Sequence, residues 1–167
     1  FQNLFQTLGK TKTANKYRAI AEGMVKKWIQ MGDAGDHYAL TFNDKNTWSQ
    51  KYNLVWDKVL NLKLFPQSVY DTEINYYLGK INKFGLPLDS RKAYTKNDWI
   101  LWTATFAPTQ RDFEKLIDPV YRFALETESR VPLNDFYDSN TGIRENFKAR
   151  SVVGGFFMKM LEKEMNK

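Results

Sequence analysis

Four aspartates, Asp57, Asp89, Asp98 and Asp135, are the groups in this chain best placed to do chemistry, because each stands among cations and large aromatics. Asp89 and Arg91 lie in residues 84–104 (FGLPLDSRKAYTKNDWILWTA), followed closely by Asp98 and Trp99. Asp135 and Tyr137 lie in residues 129–142 (SRVPLNDFYDSNTG). Both stretches mix loop-forming residues with carboxylates, arginines and rings. That mixture suits a rim that stacks a ligand on an aromatic face and holds its hydroxyl or amide groups with fixed charges. Two carboxylates can divide the labour of glycoside hydrolysis, one as acid or base and one orienting water. Amide hydrolysis needs a nucleophile or activated water and donors for an oxyanion, which Arg91, Lys51 and backbone N–H groups could supply. Trp48, Trp99 and Tyr137 are candidate contacts for the same small molecule.

Each candidate has a structural counterpart. Asp89 and Arg91 also read as a local ion pair that shapes a loop. Asp98 sits where a carboxylate meets the positive end of a helix dipole. Trp99 and Trp102 share a helical face and could be core. Asp57 follows Trp56 in an apolar segment, so it must be exposed or paired, because burying a lone charge is costly; Lys51 and Asn53 are nearby partners. The spacing Asp138-x-Asn140-x-Gly142 matches half of a calcium loop but lacks the closing bidentate Glu, so it reads as a turn. Arg130 and Arg150 flank that loop and could anchor it through its carboxylates.

The elements that position these groups are helical in period. Residues 1–9 read as the end of a helix stopped near Gly9, and Thr13 caps a helix over 13–31 with Tyr17, Ile20, Ala21, Met24, Trp28 and Met31 on one face. Residues 37–42 are an extended loop or small strand. A helix apolar nearly all round is expected over 47–62, and another over 66–84 with Pro66 in its first turn and Gly85 at its end. A short helix over 96–106 carries Asp98 and Trp99. The helix over 109–127 contains Pro119, where a kink or break is expected. A final helix carries Val152, Phe156 and Met160. The expected class is all-α: one domain over 1–167 built as a stack of helical hairpins.

Composition narrows the function. The 167 residues hold 25 basic and 19 acidic side chains, for a net charge of +6, with 43% hydrophobic and 16% aromatic content. The basic residues are dispersed among acids with no cluster, which argues against a nucleic-acid partner. Absence of cysteine excludes disulfides and thiolate chemistry, and one histidine, His37, excludes a multi-histidine metal site, so neither metal nor cofactor is expected. No apolar run is long enough to span a membrane. The chain starts in mid-pattern, which reads as a fragment or processed form.

Residues 48–66 (WSQKYNLVWDKVLNLKLFP), 84–104, 129–142 and 147–161 (FKARSVVGGFFMKML) together resemble the C-terminal domain of the glutaminase A family, secreted proteins assigned to the six-hairpin glycosidase-like helical toroids. The resemblance implies that the hairpins form about half of an (α/α)6 toroid, completed by N-terminal domains of the same protein. It implies a secreted or periplasmic hydrolase of the glutamine side-chain amide, with a saccharide substrate or a non-catalytic scaffold role as the alternatives. Fold alone does not choose among these. The toroid would bring Asp89, Arg91, Asp98 and Asp135 to one mouth, near Trp48 or Trp99, and leave an apolar face exposed around Phe1, Leu4, Phe5 and Leu8.

Overall fold

The computed structural model describes residues 1–130, 132–146 and 148–167; Val131 and Phe147, which fall in two of the stretches above, lie outside them. Among the described residues seven α-helices alternate with two small antiparallel sheets. A short α1 (Gln2–Thr7) and a long α2 (Thr11–Gly32) form the first hairpin. The turn between them closes at Gly9, whose positive φ of 68° is the left-handed conformation that ends helices. Strands β1 (Ala39–Thr41) and β2 (Asp44–Trp48) make one ribbon. A single 3-10 turn, Tyr52–Leu54, leads into α3 (Val55–Val59), then α4 (Gln67–Leu78). Strand β3 (Tyr94–Lys96) runs directly into α5 (Asn97–Ala104), followed by α6 (Gln110–Glu126). Strand β4 (Phe136–Asp138), a 3-10 segment Val153–Phe157 and α7 (Met158–Met165) complete the chain.

The core is built around α5. Its Ile100, Leu101 and Ala104 are buried against Val55 and Val59 of α3, Tyr70, Ile74 and Tyr77 of α4, Leu116 and Val120 of α6, and Met158 of α7. α5 is too short to stand alone in water, so this burial on several sides is what holds it. A second cluster, Phe84, Phe123 and Tyr137, sits beside it, with the Phe123 and Tyr137 rings stacked at 3.6 Å. α2 is different: of its residues only Ala14 and Gly32 are buried, and Ile20, Met24 and Met31 are exposed. Phe1, Leu4 and Leu8 are exposed with them, as expected at the first hairpin, but Phe5 is half-buried because its ring stacks on Tyr17 at 5.5 Å.

Several elements differ from the periodicity. The all-α expectation meets two sheets, because the β3–β4 and β1–β2 partners are only three to five residues long. Such lengths are too short for alternation to register in the sequence. The helix expected over 47–62 contracts to the 3-10 turn and α3, since residues 48–50 are taken up by pairing with a loop: Ser90 N–H donates to Trp48 O at 2.9 Å and Gln50 N–H to Leu88 O at 2.8 Å. α4 stops at Leu78 rather than running to Gly85. Pro119 lies inside α6 without ending it: the buried Leu116, Val120 and Phe123 hold the helix across the one hydrogen bond that the proline lacks.

Asp57 acts as an internal cap of the turn that follows α3. Its carboxylate accepts from Leu64 N–H (2.9 Å), Phe65 N–H (3.2 Å) and Tyr70 O–H (2.7 Å). Asp57→Asn removes an acceptor among three donors and is expected to cost about 1–3 kcal/mol in chemical denaturation. Ile100→Ala is expected to cost about 2–5 kcal/mol, whereas Met24→Ala on the exposed stripe stays within about 0.5 kcal/mol. Equal losses at Ile100 and Met24 would contradict a core organised around α5.

Candidate functional site

The site forms where β3 meets α5 and β4. Tyr94, Thr95 and Lys96 pair antiparallel with Asp138, Tyr137 and Phe136. Just beyond this ladder Asn97 N–H donates to Asp135 O (3.0 Å) and Asn97 Nδ2 to Asn134 O (2.9 Å). The pairing delivers the Lys96 side chain to Asp135, with its Nζ 3.2 Å from Asp135 Oδ2 and 3.7 Å from Asp98 Oδ1. The same ammonium lies over the Trp99 ring, 4.3 Å from its centroid. Lys96, Asp98 and Asp135 are all buried.

The two carboxyls are driven apart. Burial pushes Asp98 up above its ordinary value of 3.8, and the Lys96 charge does not offset it, while the neighbouring Asp135 adds to the rise. Burial also pushes Asp135 up, but hydrogen bonds from Arg150 and Lys96 outweigh it and hold this carboxyl below 3.8. Arg150 grips Asp135 with two guanidinium nitrogens, Nε at 3.2 Å and Nη2 closer still. Arg150 is thus the anchor expected from its position, whereas Arg130 donates to Leu125 O. Opposed shifts in adjacent carboxyls are how one site keeps a proton donor beside a fixed negative charge.

Aromatic rings wall this cluster. Tyr52 stacks on Trp99 (3.9 Å, 15° between planes) and Trp56 meets Trp102 edge-on (5.4 Å, 75°). Asp98, Trp99 and Trp102 line an open hollow of about 530 Å³ together with Trp56, Met158, Ser151, Val152, Gly154 and Gly155.

Across the Tyr52–Trp99 stack lies a second cleft, about 390 Å³, lined by Ser49, Lys51, Asp89 and Arg91 among others. Asp89 accepts from Arg91 N–H (2.9 Å) and from its guanidinium at 3.0 and 2.7 Å. Burial pushes Asp89 up, and these bonds outweigh it to leave the carboxyl below 3.8. Lys51 Nζ donates to Tyr38 O (2.7 Å), Ser49 O (2.8 Å) and Ser49 Oγ (3.2 Å), and stands 3.7 Å from Glu73 Oε2. Burial drives Lys51 down, with partial relief from Glu73. Lys51 thereby ties the approach to β1 to residue 49.

The sequence candidates therefore divide. Asp98 and Asp135 share one cluster; Asp89, Arg91 and Lys51 occupy the cleft on the other side of Trp99, which belongs to both. Asp57 lines neither and serves as a loop cap. Trp48 and Tyr137 are core rings, Trp48 against Tyr76 and Tyr77, and Tyr137 donating its O–H to Phe84 O at 2.9 Å. Two residues escaped the sequence reading. Lys96 stands at a helix start among many other lysines, and only strand pairing brings it between Asp98 and Asp135. Gln50 donates to Leu86 O and Pro87 O and accepts from Thr103 O–H, pinning the Asp89 loop to α5. Among the described residues no group of three or more potential ligands gathers to hold a metal, and no helix is long and apolar enough to cross a membrane.

Comparison with known proteins places this architecture. Residues 1–160 match the glutaminase A six helical-hairpin domain. The chain is 35% identical to glutaminase A of Aspergillus oryzae over 158 residues, covering 90% of the chain and 23% of that protein. It is 29% identical to a probable glutaminase of Arthroderma benhamiae over 193 residues, covering 95% of the chain and 22% of that protein. The chain thus spans less than a quarter of the length of these relatives, and no solved structure matches it. Sequence match and helical architecture together assign the chain to the glutaminase A six helical-hairpin domain family.

Proposed function

We propose that this domain contributes the acid–base centre of a hydrolase that releases ammonia from the side-chain amide of glutamine. The observation that carries the proposal is the Asp98–Asp135 pair, one carboxyl raised and the other lowered around a shared lysine. Asp98 is the acid. As water adds to the amide carbon and the C–N bond breaks, its proton passes to the departing nitrogen to give ammonia. The proton lost by the water returns to the Asp98 carboxylate, so the products are ammonia and a carboxylic acid and Asp98 ends as it began. Asp135, held by Lys96 and Arg150, stays ionised and keeps Lys96 in place beside Asp98.

The glycoside alternative is favoured by one feature, the Trp99 and Trp102 rings beside two carboxyls, an arrangement suited to a sugar ring. The proposal extends to a helical toroid of which this chain forms about half, and to a secreted or periplasmic location, both resting on the family resemblance. Ammonia and reducing-sugar assays on the complete protein separate the two chemistries: ammonia from glutamine is expected, and reducing sugar in its place would favour the alternative.

A general acid must be protonated to act, so activity is expected to fall as pH rises through the raised value of Asp98. Asp98→Asn should lose about 10²–10⁴-fold in kcat and abolish that alkaline limb. A full-strength limb in Asp98→Asn would assign it to another group. Asp89→Asn, by contrast, should lower the melting temperature while activity per folded molecule stays near normal, because Asp89 is spent on Arg91. A folded but inactive Asp89→Asn protein would move the chemistry to the cleft lined by Lys51.

A further inference from the structure

Two buried polar atoms of the aromatic hollow have no hydrogen-bond partner among the described residues: Asp98 Oδ1 and Trp102 Nε1. Lys96 Nζ stands 3.7 Å from that Asp98 oxygen, too long for a hydrogen bond, and a buried polar atom left unmet calls for an explanation, a functional role among them. The two side chains stand one helical turn apart on the same face of α5. Residues 151–155 pass over both. Gly155 comes so close that a Cβ there would lie 2.7 Å from Asp98 Cβ and 3.1 Å from Trp102 Nε1, so no other residue fits without moving one of them. Indole N–H is a donor only, and a carboxyl can both donate and accept. The pair therefore presents one donor for a carbonyl oxygen beside a group able to face an amide nitrogen.

We propose that Trp102 Nε1–H and the Asp98 carboxyl form the recognition pair for a primary carboxamide, with residues 151–155 as a strap that swings aside to admit it and closes over it. The carbonyl oxygen accepts from Trp102 and the nitrogen faces Asp98. Trp102 then holds the negative charge that builds on that oxygen when water adds, in a site from which the strap excludes solvent. This inference rests on the amide-hydrolase proposal above and names the residue that reads the amide.

The direct test is Trp102→Phe in the complete protein, which keeps a ring against Trp56 while deleting the donor. The expected result is a kcat for ammonia release from glutamine lowered about 10²-fold, the scale of a lost oxyanion donor, with an unchanged melting temperature. Undiminished kcat in a folded Trp102→Phe protein would overturn the proposal. A second measurement does not depend on that variant folding: the Trp102 indole N–H resonance of the wild-type protein is followed while acetamide is added. A saturable downfield shift with acetamide supports the pair, and no shift with acetamide overturns it. If the wild-type protein releases no ammonia yet acetamide still moves the resonance, the hydrolase proposal falls and carboxamide binding stands.

Discussion

The site depends on one short piece of backbone pairing. Tyr94–Lys96 and Phe136–Asp138 are far apart in the chain, and three antiparallel partners join them. Without that ladder Lys96 has no reason to meet Asp135, and Asn97 loses its bonds to residues 134 and 135. Because β3 runs straight into α5, the same register also sets where Asp98, Trp99 and Trp102 emerge. A one-residue slip would turn Lys96 to the opposite side of the ribbon. Core packing guards against this: Tyr137, the partner of Thr95, is fully buried and stacked on Phe123, and its hydroxyl reaches Phe84 O. Gly85 closes the arrangement at φ 141°, where a Cβ would come within 2.6 Å of Ile100 Cδ1.

Three buried ionisable groups in one place are expensive to charge, and burial disfavours the charged form of Asp98. Two carboxyls share one buried ammonium, and the partly exposed Arg150 is committed to Asp135. Removing either partner from such a pair strands the other, so the cluster favours rigidity over stability. The linkage to pH has opposite signs at the two acids. Asp135, lowered in the folded state, contributes stability above 3.8 that is lost as pH falls toward its folded value. Asp98, raised in the folded state, favours the fold in acid, and that contribution is lost as pH rises from 3.8 through its folded value.

Much of the scaffold was legible from hydrophobic period: α2, α6 and α5 carrying Asp98 in its first turn follow from side-chain spacing, whereas the cap expected at Thr13 is not made, because α2 begins at Thr11 with Lys10 at its N-cap and no side-chain cap bond. The family resemblance was legible too, because the loop motifs carry unusual combinations of residues in a fixed order. Less was visible where tertiary partners override local preference. Residues 47–62 have helical hydrophobicity throughout, yet Trp48 and Gln50 are drawn into pairing with the Asp89 loop. The catalytic candidates were found as a set of acids, but their sorting into a paired cluster, an ion-paired loop and a turn cap required the neighbours each acquires. Lys96 is the clearest instance. A lysine at a helix start gives no sign in one dimension that strand pairing will bury it between two carboxyls.

Asp98 releases its proton at higher pH than Asp135, although the two carboxyls share one lysine. Carbon-13 titration of the aspartate carboxyl carbons, with Asp98 and Asp135 assigned by the Asn variants, measures both acids directly. The account predicts that the Asp98 carboxyl titrates above 3.8 and the Asp135 carboxyl below it. Asp98 titrating at or below 3.8, or Asp135 titrating above Asp98, would contradict it.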